Sequence, residues 1–247
     1  MHFTSEQRLD DNVLERAFTL GEIPGFLWTP ATPATPAPLI LVGHPGGLDK
    51  MYPRLAARAR HYVAQFGFAA VTIELPGSGD RPKSADTEQA RADLRQALAA
   101  GEPLGDIVDR LVLPLVGRAV PEWQTALDAL LELPEIGGPA GYEGGVIAIG
   151  VRLAAVEPRI AAANLFAGSF VPAAILEEAR QVAVPLQVLL QWDDENNDRQ
   201  AALDLFDAFG SKEKTLHANT GGHTGVPAFE IDAGARFFAR HLIRPQQ

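Results

Sequence analysis

The sequence predicts an α/β protein, a mostly parallel central sheet with helices on both faces. Three observations carry this. A short, continuously apolar run at residues 39–43 and predominantly apolar runs at 68–75 and 160–166 mark strands buried on both faces of a parallel sheet. Segments with helical apolar spacing lie between them, so strand and helix alternate from residue 39 onward, the pattern of a sheet covered on both sides. A length of 247 residues, 47% of them apolar, suits one large α/β domain.

Residues 13–20 and 25–29 predict two short strands joined by the turn Gly21-Glu22-Ile23-Pro24. The proline-rich stretch from Thr29 to Pro38 has polyproline character. Only 28 residues precede it, too few for a domain, so it reads as an exposed loop. Residues 39–43 predict a strand and 52–66 a helix, with Leu55, Ala59, Tyr62, Val63 and Phe66 along one stripe. Residues 68–75 form the next strand, closed by Pro76-Gly77-Ser78-Gly79-Asp80. Helices are expected at 86–100, 104–116 and 122–133. A strand near 138–142 then leads through a glycine turn into a helix at 146–156. Strands at 160–166, 186–191 and 214–218 and helices at 199–209 and 228–241 complete the chain. Residues 1–247 are one domain, with 84–120 a helical insertion. As a cap over the strand ends, the insertion would enclose an apolar pocket lined by Trp28, Trp192 and Phe170; the plainer reading is packing on the sheet.

Several function classes are set aside by composition. Net charge is −10 without a Lys/Arg cluster, so nucleic acid is not an expected partner. Cysteine is absent, which removes disulfides and thiolate chemistry. The six histidines lack metal-ligand spacing and no phosphate-binding glycine fingerprint is present, so neither metal nor cofactor is expected. No apolar run approaches the ~20 residues that span a bilayer, and the first residues lack a signal-peptide pattern; the expectation is a cytoplasmic protein that does not engage a membrane. The sequence carries no signal of oligomeric state.

Ligands of such sheets bind at the carboxyl ends of the strands, so the loops that follow strands are the candidates. After 39–43 comes His44-Pro45-Gly46-Gly47, where glycines let backbone N–H groups approach a ligand as an oxyanion hole requires, or simply turn the chain. After 138–142 comes Gly141-Tyr142-Glu143-Gly144-Gly145, a strand, sharp glycine turn and helix with the spacing of a nucleophile elbow. Glu143 is its central residue. A second register, Gly144-Gly145-Val146-Ile147-Ala148, centres Val146, and the plain alternative is a solvated glutamate at a helix N-terminus. After 186–191 comes Trp192-Asp193-Asp194-Glu195, with acids able to orient a histidine, while Asp198 suits a helix N-cap. Gly221-Gly222-His223-Thr224-Gly225 follows the last strand. Nucleophile position, acid and histidine occur in the chain order of one hydrolase fold and not of other triad folds.

On these motifs residues 36–242 resemble the α/β-hydrolase superfamily, specifically small bacterial esterases and dienelactone hydrolases. The resemblance is strongest at residues 41–47, 75–81, 191–195 and 221–227. It implies His223 as catalytic base and Asp194 as its orienting acid, with Asp193 a rival one residue away. It places the oxyanion hole at the N–H groups of Gly144 and of Gly46 or Gly47, with His44 and Trp192 beside the substrate. The departure is the elbow, where the family's Gly-x-Ser-x-Gly is replaced by Gly-Tyr-Glu-Gly-Gly; Ser78 and Ser169 follow other strands. The expected chemistry is then acid/base catalysis by Glu143 and His223, as in a cyclase, lyase or dehydratase, or hydrolysis with a carboxylate nucleophile. The expected substrate is small and hydrophobic. The alternative is a non-catalytic protein that binds an apolar ligand or a protein partner.

Overall fold

The computed structural model describes residues 1–33, 35–195 and 197–243; Ala34 of the proline-rich loop, Asn196 and residues 244–247 lie outside them. The described residues form nine strands and seven helices. In chain order these are β1 (His2–Arg8), β2 (Val13–Leu20), β3 (Ile23–Pro30), β4 (Ala37–Gly43), α1 (Leu48–Phe66), β5 (Ala69–Ile73), α2 (Ala85–Ala100), α3 (Gly105–Leu130), β6 (Ile136–Gly144), α4 (Ile147–Val156), β7 (Ile160–Phe166), α5 (Ala173–Ala179), β8 (Leu186–Gln191), α6 (Arg199–Ala208), β9 (Lys214–Asn219) and α7 (Phe229–Leu242). All nine strands join one sheet in the order β1-β2-β3-β5-β4-β6-β7-β8-β9. The β1, β2 and β3 edge is antiparallel, and β5 through β9 are parallel.

Each face of the sheet has its own core. On one, α1 and α7 contribute Leu55, Tyr62, Val63, Phe237 and Phe238. On the other, α3 through α6 contribute Val116, Trp123, Ile149, Leu153, Ile175 and Leu205. Each fully buried large apolar side chain stabilises by about 1.5–3 kcal/mol, so both layers are firmly held to the strands.

Several elements depart from the sequence-based expectation, among them α5, which no expected helix covers. The outer strand β1 is almost wholly exposed, so no apolar run announces it. The expected helices at 104–116 and 122–133 are one continuous α3 running through Pro114 and Pro121. Each proline removes a helical hydrogen bond, but both stand on the exposed face while a stripe from Val108 to Leu130 is buried, and that burial outweighs the loss. Helix α1 begins at Leu48 rather than residue 52. Strand β6 is longer at both ends than 138–142 and takes in Glu143 and Gly144. Residues 84–120 form α2 and the first half of α3, with Val108, Val112 and Val116 packed into the core. No described helix is long and apolar enough to cross a membrane.

Candidate active site

The carboxyl ends of β4, β6 and β7 and the loop after β9 surround a cavity of about 160 Å³. Gly43 and Pro45 border it at the end of β4, Glu143 to Val146 at the end of β6, and Asn164 to Ser169 at β7. Arg54, Arg58 and Leu55 of α1 close one side, and His223, Thr224 and Val226 another. None of its lining residues comes from 84–120, nor are Trp28, Trp192 or Phe170 among them. Trp28 is buried and donates its indole N–H to Glu15. Phe170 packs against the core. Trp192 is exposed under the Arg199 guanidinium, 4.4 Å from its ring centre.

His223 and Asp194 come together. The imidazole Nδ1–H donates to Asp194 Oδ2 at 2.7 Å, and the Asp194 side chain is only 2% exposed. The ring also packs edge-on against Phe166, centroids 5.4 Å apart. Backbone hydrogen bonds from Trp192 to Asn219 and from Asp193 to Gly221 lace the loop after β8 to the loop after β9, and Gln191 Nε2 donates to the Gly222 carbonyl. These contacts fix the histidine over the acid. Asp193 instead ties down the neighbouring loop, its carboxylate accepting the Gly221 N–H at 3.1 Å. Asp198 caps α6 by accepting from Gln200 and Ala201.

The turn after β6 has two residues in the left-handed region, Gly144 at φ +67° and Gly145 at φ +70°. A Cβ on Gly145 would lie 2.9 Å from the Tyr142 hydroxyl and 3.0 Å from the Gly43 backbone, so position 145 admits no side chain. A Cβ on Gly144 would meet only Arg58 Nη1 and the Gly43 carbonyl, both at 3.5 Å, ordinary contact. The turn position with room for a side chain facing the cavity is therefore Gly144. Glu143 stands one residue earlier, as the penultimate residue of β6. Val146 is the N-cap of α4.

Strand alternation decides where Glu143 points. Its neighbour Tyr142 packs edge-on against Trp123 of α3, so Glu143 faces α1 on the other side. There Oε1 pairs with Arg58 Nη1 at 3.4 Å, and the glutamate is 3% exposed. Burial raises its pKa above the ordinary carboxylate value; the Arg58 charge, the Tyr62 hydroxyl and His61 pull the other way without cancelling it. The Tyr62 hydroxyl is itself pushed well up, chiefly by burial and then by the Glu143 charge. A solvated glutamate at the helix start is thus replaced by a buried one under the turn.

The His-Pro-Gly-Gly loop is pinned from below. His44 is buried, its Nε2–H donates to the Ile73 carbonyl at 2.9 Å, and burial lowers its pKa. Glu74 accepts the N–H groups of Leu48 and Leu75. Gly43 and Pro45 border the cavity, whereas His44, Gly46 and Gly47 do not. Among the described residues no group of three or more His, Cys, Asp or Glu side chains is arranged to hold a metal ion.

Arg58, Asn164 and Ser169 are site residues that the sequence motifs do not mark. Asn164 is 1% exposed, and neither its Oδ1 nor its Nδ2 has a hydrogen-bond partner among the described residues. Its signal was a polar residue inside the apolar run of β7, a costly placement unless something meets it. Ser169 follows a different strand from the elbow, yet its buried, unpartnered hydroxyl borders the same cavity.

No protein-family model and no curated protein sequence matches the chain. Solved structures do. A cold-adapted esterase from an Arctic intertidal metagenomic library is 27% identical over 98% of this chain and 100% of its own, with a TM-score of 0.72. An esterase of Pyrococcus furiosus is 10% identical over 97% of this chain and 93% of its own, with a TM-score of 0.63. A dienelactone hydrolase from Anabaena variabilis is 19% identical over 96% of this chain and 98% of its own, with a TM-score of 0.58. The last two likenesses concern the fold alone.

Proposed function

We propose that this chain, an α/β-hydrolase-fold protein with an esterase as a 27%-identical structural neighbour, is an enzyme that performs general acid/base chemistry on a small, largely apolar substrate without a serine nucleophile. The observation that carries this reading is the His223–Asp194 hydrogen bond at the wall of the cavity. With Nδ1 donating to Asp194, Nε2 is the ring nitrogen left to take a proton from substrate or water. The buried Asp194 carboxylate stabilises the imidazolium that forms. Gly144 and Gly145 border the cavity beside the start of α4, where backbone N–H groups and the helix dipole favour a developing negative charge. Glu143, with its raised pKa, is the second proton-carrying group at the cavity floor. Proton transfer at carbon gives the outcome of a cyclase, lyase or dehydratase, and proton transfer from water gives hydrolysis.

One observation favours a covalent variant. Glu143 borders the cavity and its Oε2 has no partner among the described residues, as a carboxylate nucleophile would need. Against it, the side chain faces α1 and its other oxygen is held by Arg58. A non-catalytic binding role draws on the glycine at position 144 and the mostly apolar walls.

One experiment separates these readings. The wild type and the His223→Ala variant are each incubated with small esters, lactones and epoxides, then assayed for turnover and for intact mass. Acid/base chemistry predicts that turnover found in the wild type falls by ~10²–10⁴ in the variant, with no adduct. An added mass on the Glu143 peptide supports the covalent route. Turnover that His223→Ala leaves unchanged overturns the proposal.

A further inference from the structure

We infer that the polar end of the cavity binds the carboxylate of a small organic acid, so that the substrate is an acid with an apolar body. The inference rests on reading this cavity as the substrate site and names the substrate class; it does not depend on which reaction His223 performs.

The first argument is the sign of the charge. The chain carries 31 acidic against 21 basic residues, yet Arg54 and Arg58 border the cavity against the single carboxylate of Glu143. Arg58 is committed to Glu143. Arg54, one helical turn earlier on α1, is exposed at the mouth and has no ion-pair or hydrogen-bond partner among the described residues. The start of α4 adds positive potential from a third side: Val146 borders the cavity, no side chain caps the helix, and no acid stands in its first turn.

The second argument is unmet hydrogen bonding. The Ser169 hydroxyl and Arg58 Nε, on residues that border the cavity, are buried without a partner; Asn164 is likewise unpartnered at both amide atoms, its Nδ2 turned toward Gly234 of α7. Buried polar groups are rarely left so, and a carboxylate supplies acceptor lone pairs for several donors at once. The remaining walls are apolar, among them Leu55, Phe166, Leu189 and Val226. A cavity of about 160 Å³ is close to the size that holds one benzene ring. The ligand that fits both halves is a monocarboxylate on a single ring or a short branched chain.

Calorimetric titration with phenylacetate and its neutral analogue phenylacetamide, at low ionic strength, tests this. Phenylacetate should bind the wild type at least about tenfold more tightly than the amide. Arg54→Gln should weaken phenylacetate by about fivefold, the worth of one charge at ~4 Å in water, and leave the amide unchanged. Glu143→Gln should tighten phenylacetate by at least about fivefold, because it removes the competing carboxylate and releases Arg58. The wild type itself separates the two proposals: a clear preference for phenylacetate over the amide in a protein that turns over none of the esters, lactones and epoxides sinks the reaction and keeps the site. Equal affinity for acid and amide, no binding of phenylacetate, indifference to Arg54→Gln, or weakening by Glu143→Gln each overturns the inference.

Discussion

Restoring a serine at the turn is the sharpest probe of this site. In Gly144→Ser the new Cβ meets Arg58 Nη1 and the Gly43 carbonyl at 3.5 Å, so it fits without displacing either. The penalty is conformational: a non-glycine residue at φ +67° costs about 1–2 kcal/mol. For a chain of this size that lowers Tm by roughly 2–8 °C, so the variant should remain folded. The expected gain is an activated hydroxyl beside an intact His–Asp pair. Gly144→Ser should be labelled stoichiometrically by a fluorophosphonate probe and release nitrophenol from simple esters, whereas the wild type should do neither. A positioned general base is worth ~10²–10⁴-fold, so the Gly144→Ser, His223→Ala double variant should label slower by that factor. Glu143→Ser serves as the register control; its side chain faces α1 rather than the turn, and it should not label. A folded Gly144→Ser protein that labels no faster than the double variant would refute the reading that a side chain at position 144 reaches His223 across the cavity they both border.

Three further outcomes follow from the same geometry. Asp194→Asn removes a carboxylate whose charge lies ~4 Å from that of the imidazolium; at an effective dielectric of ~20 this is about 4 kcal/mol, so kcat should fall about 10³-fold with KM little changed, and a loss below tenfold refutes the dyad. Because burial raises the Glu143 pKa above 4.5, the folded state keeps that proton when the unfolded chain has lost it. Stability therefore falls as pH rises from about 4.5 through the raised pKa and levels off above it; Glu143→Gln should abolish that fall in urea midpoints measured from about pH 4 to 8, and parallel curves contradict it. Gly145→Ala combines left-handed strain with contacts at 2.9 and 3.0 Å, together about 2–5 kcal/mol, so it should melt several degrees below Gly144→Ala, and equal melting temperatures refute the packing argument.

The parallel sheet was legible in the sequence because strands buried on both faces are predominantly apolar, as residues 39–43 are throughout and 160–166 are apart from Asn164. Helix α3 was not, because the proline rule is local whereas the burial from Val108 to Leu130 is tertiary. The pairing of Asp194 with His223 followed from loop order, since parallel strands deliver their carboxyl ends to one edge. The turn after β6 resisted for a narrower reason. Gly-Tyr-Glu-Gly-Gly fits the elbow spacing with Glu143 at its centre, but spacing does not say which turn position has room for a side chain. Two adjacent glycines, both at positive φ, leave that open, and the approach of Gly145 to Gly43 and to the Tyr142 hydroxyl leaves Gly144 as the one of the two with room. Arg58 was invisible for another reason: its partner lies 85 residues away in the chain, on another layer of the fold.

The missing serine and the buried ion pair are one arrangement rather than two peculiarities. A hydroxymethyl group at position 144 would project toward Arg58 Nη1, 3.5 Å from its Cβ. In this chain that neighbourhood holds the Arg58 guanidinium paired with Glu143. The guanidinium stays there because Glu143, one residue before the turn, faces α1 and pairs with it, and strand alternation sends the side chain of Tyr142 to the opposite core. Glycine at 144 leaves the guanidinium open to the cavity instead of shielding it behind a side chain. A positive charge in that position suits stabilising negative charge on a bound molecule, which is the requirement of proton-transfer chemistry and of carboxylate binding alike. Reversing the pair tests this dependence: Arg58→Glu with Glu143→Arg keeps an ion pair in the floor but presents the opposite geometry to the turn. If the charge beside Gly144 is what the site uses, the double variant should stay folded and lose phenylacetate binding; if it binds phenylacetate as the wild type does, the ion pair is only a buried structural contact.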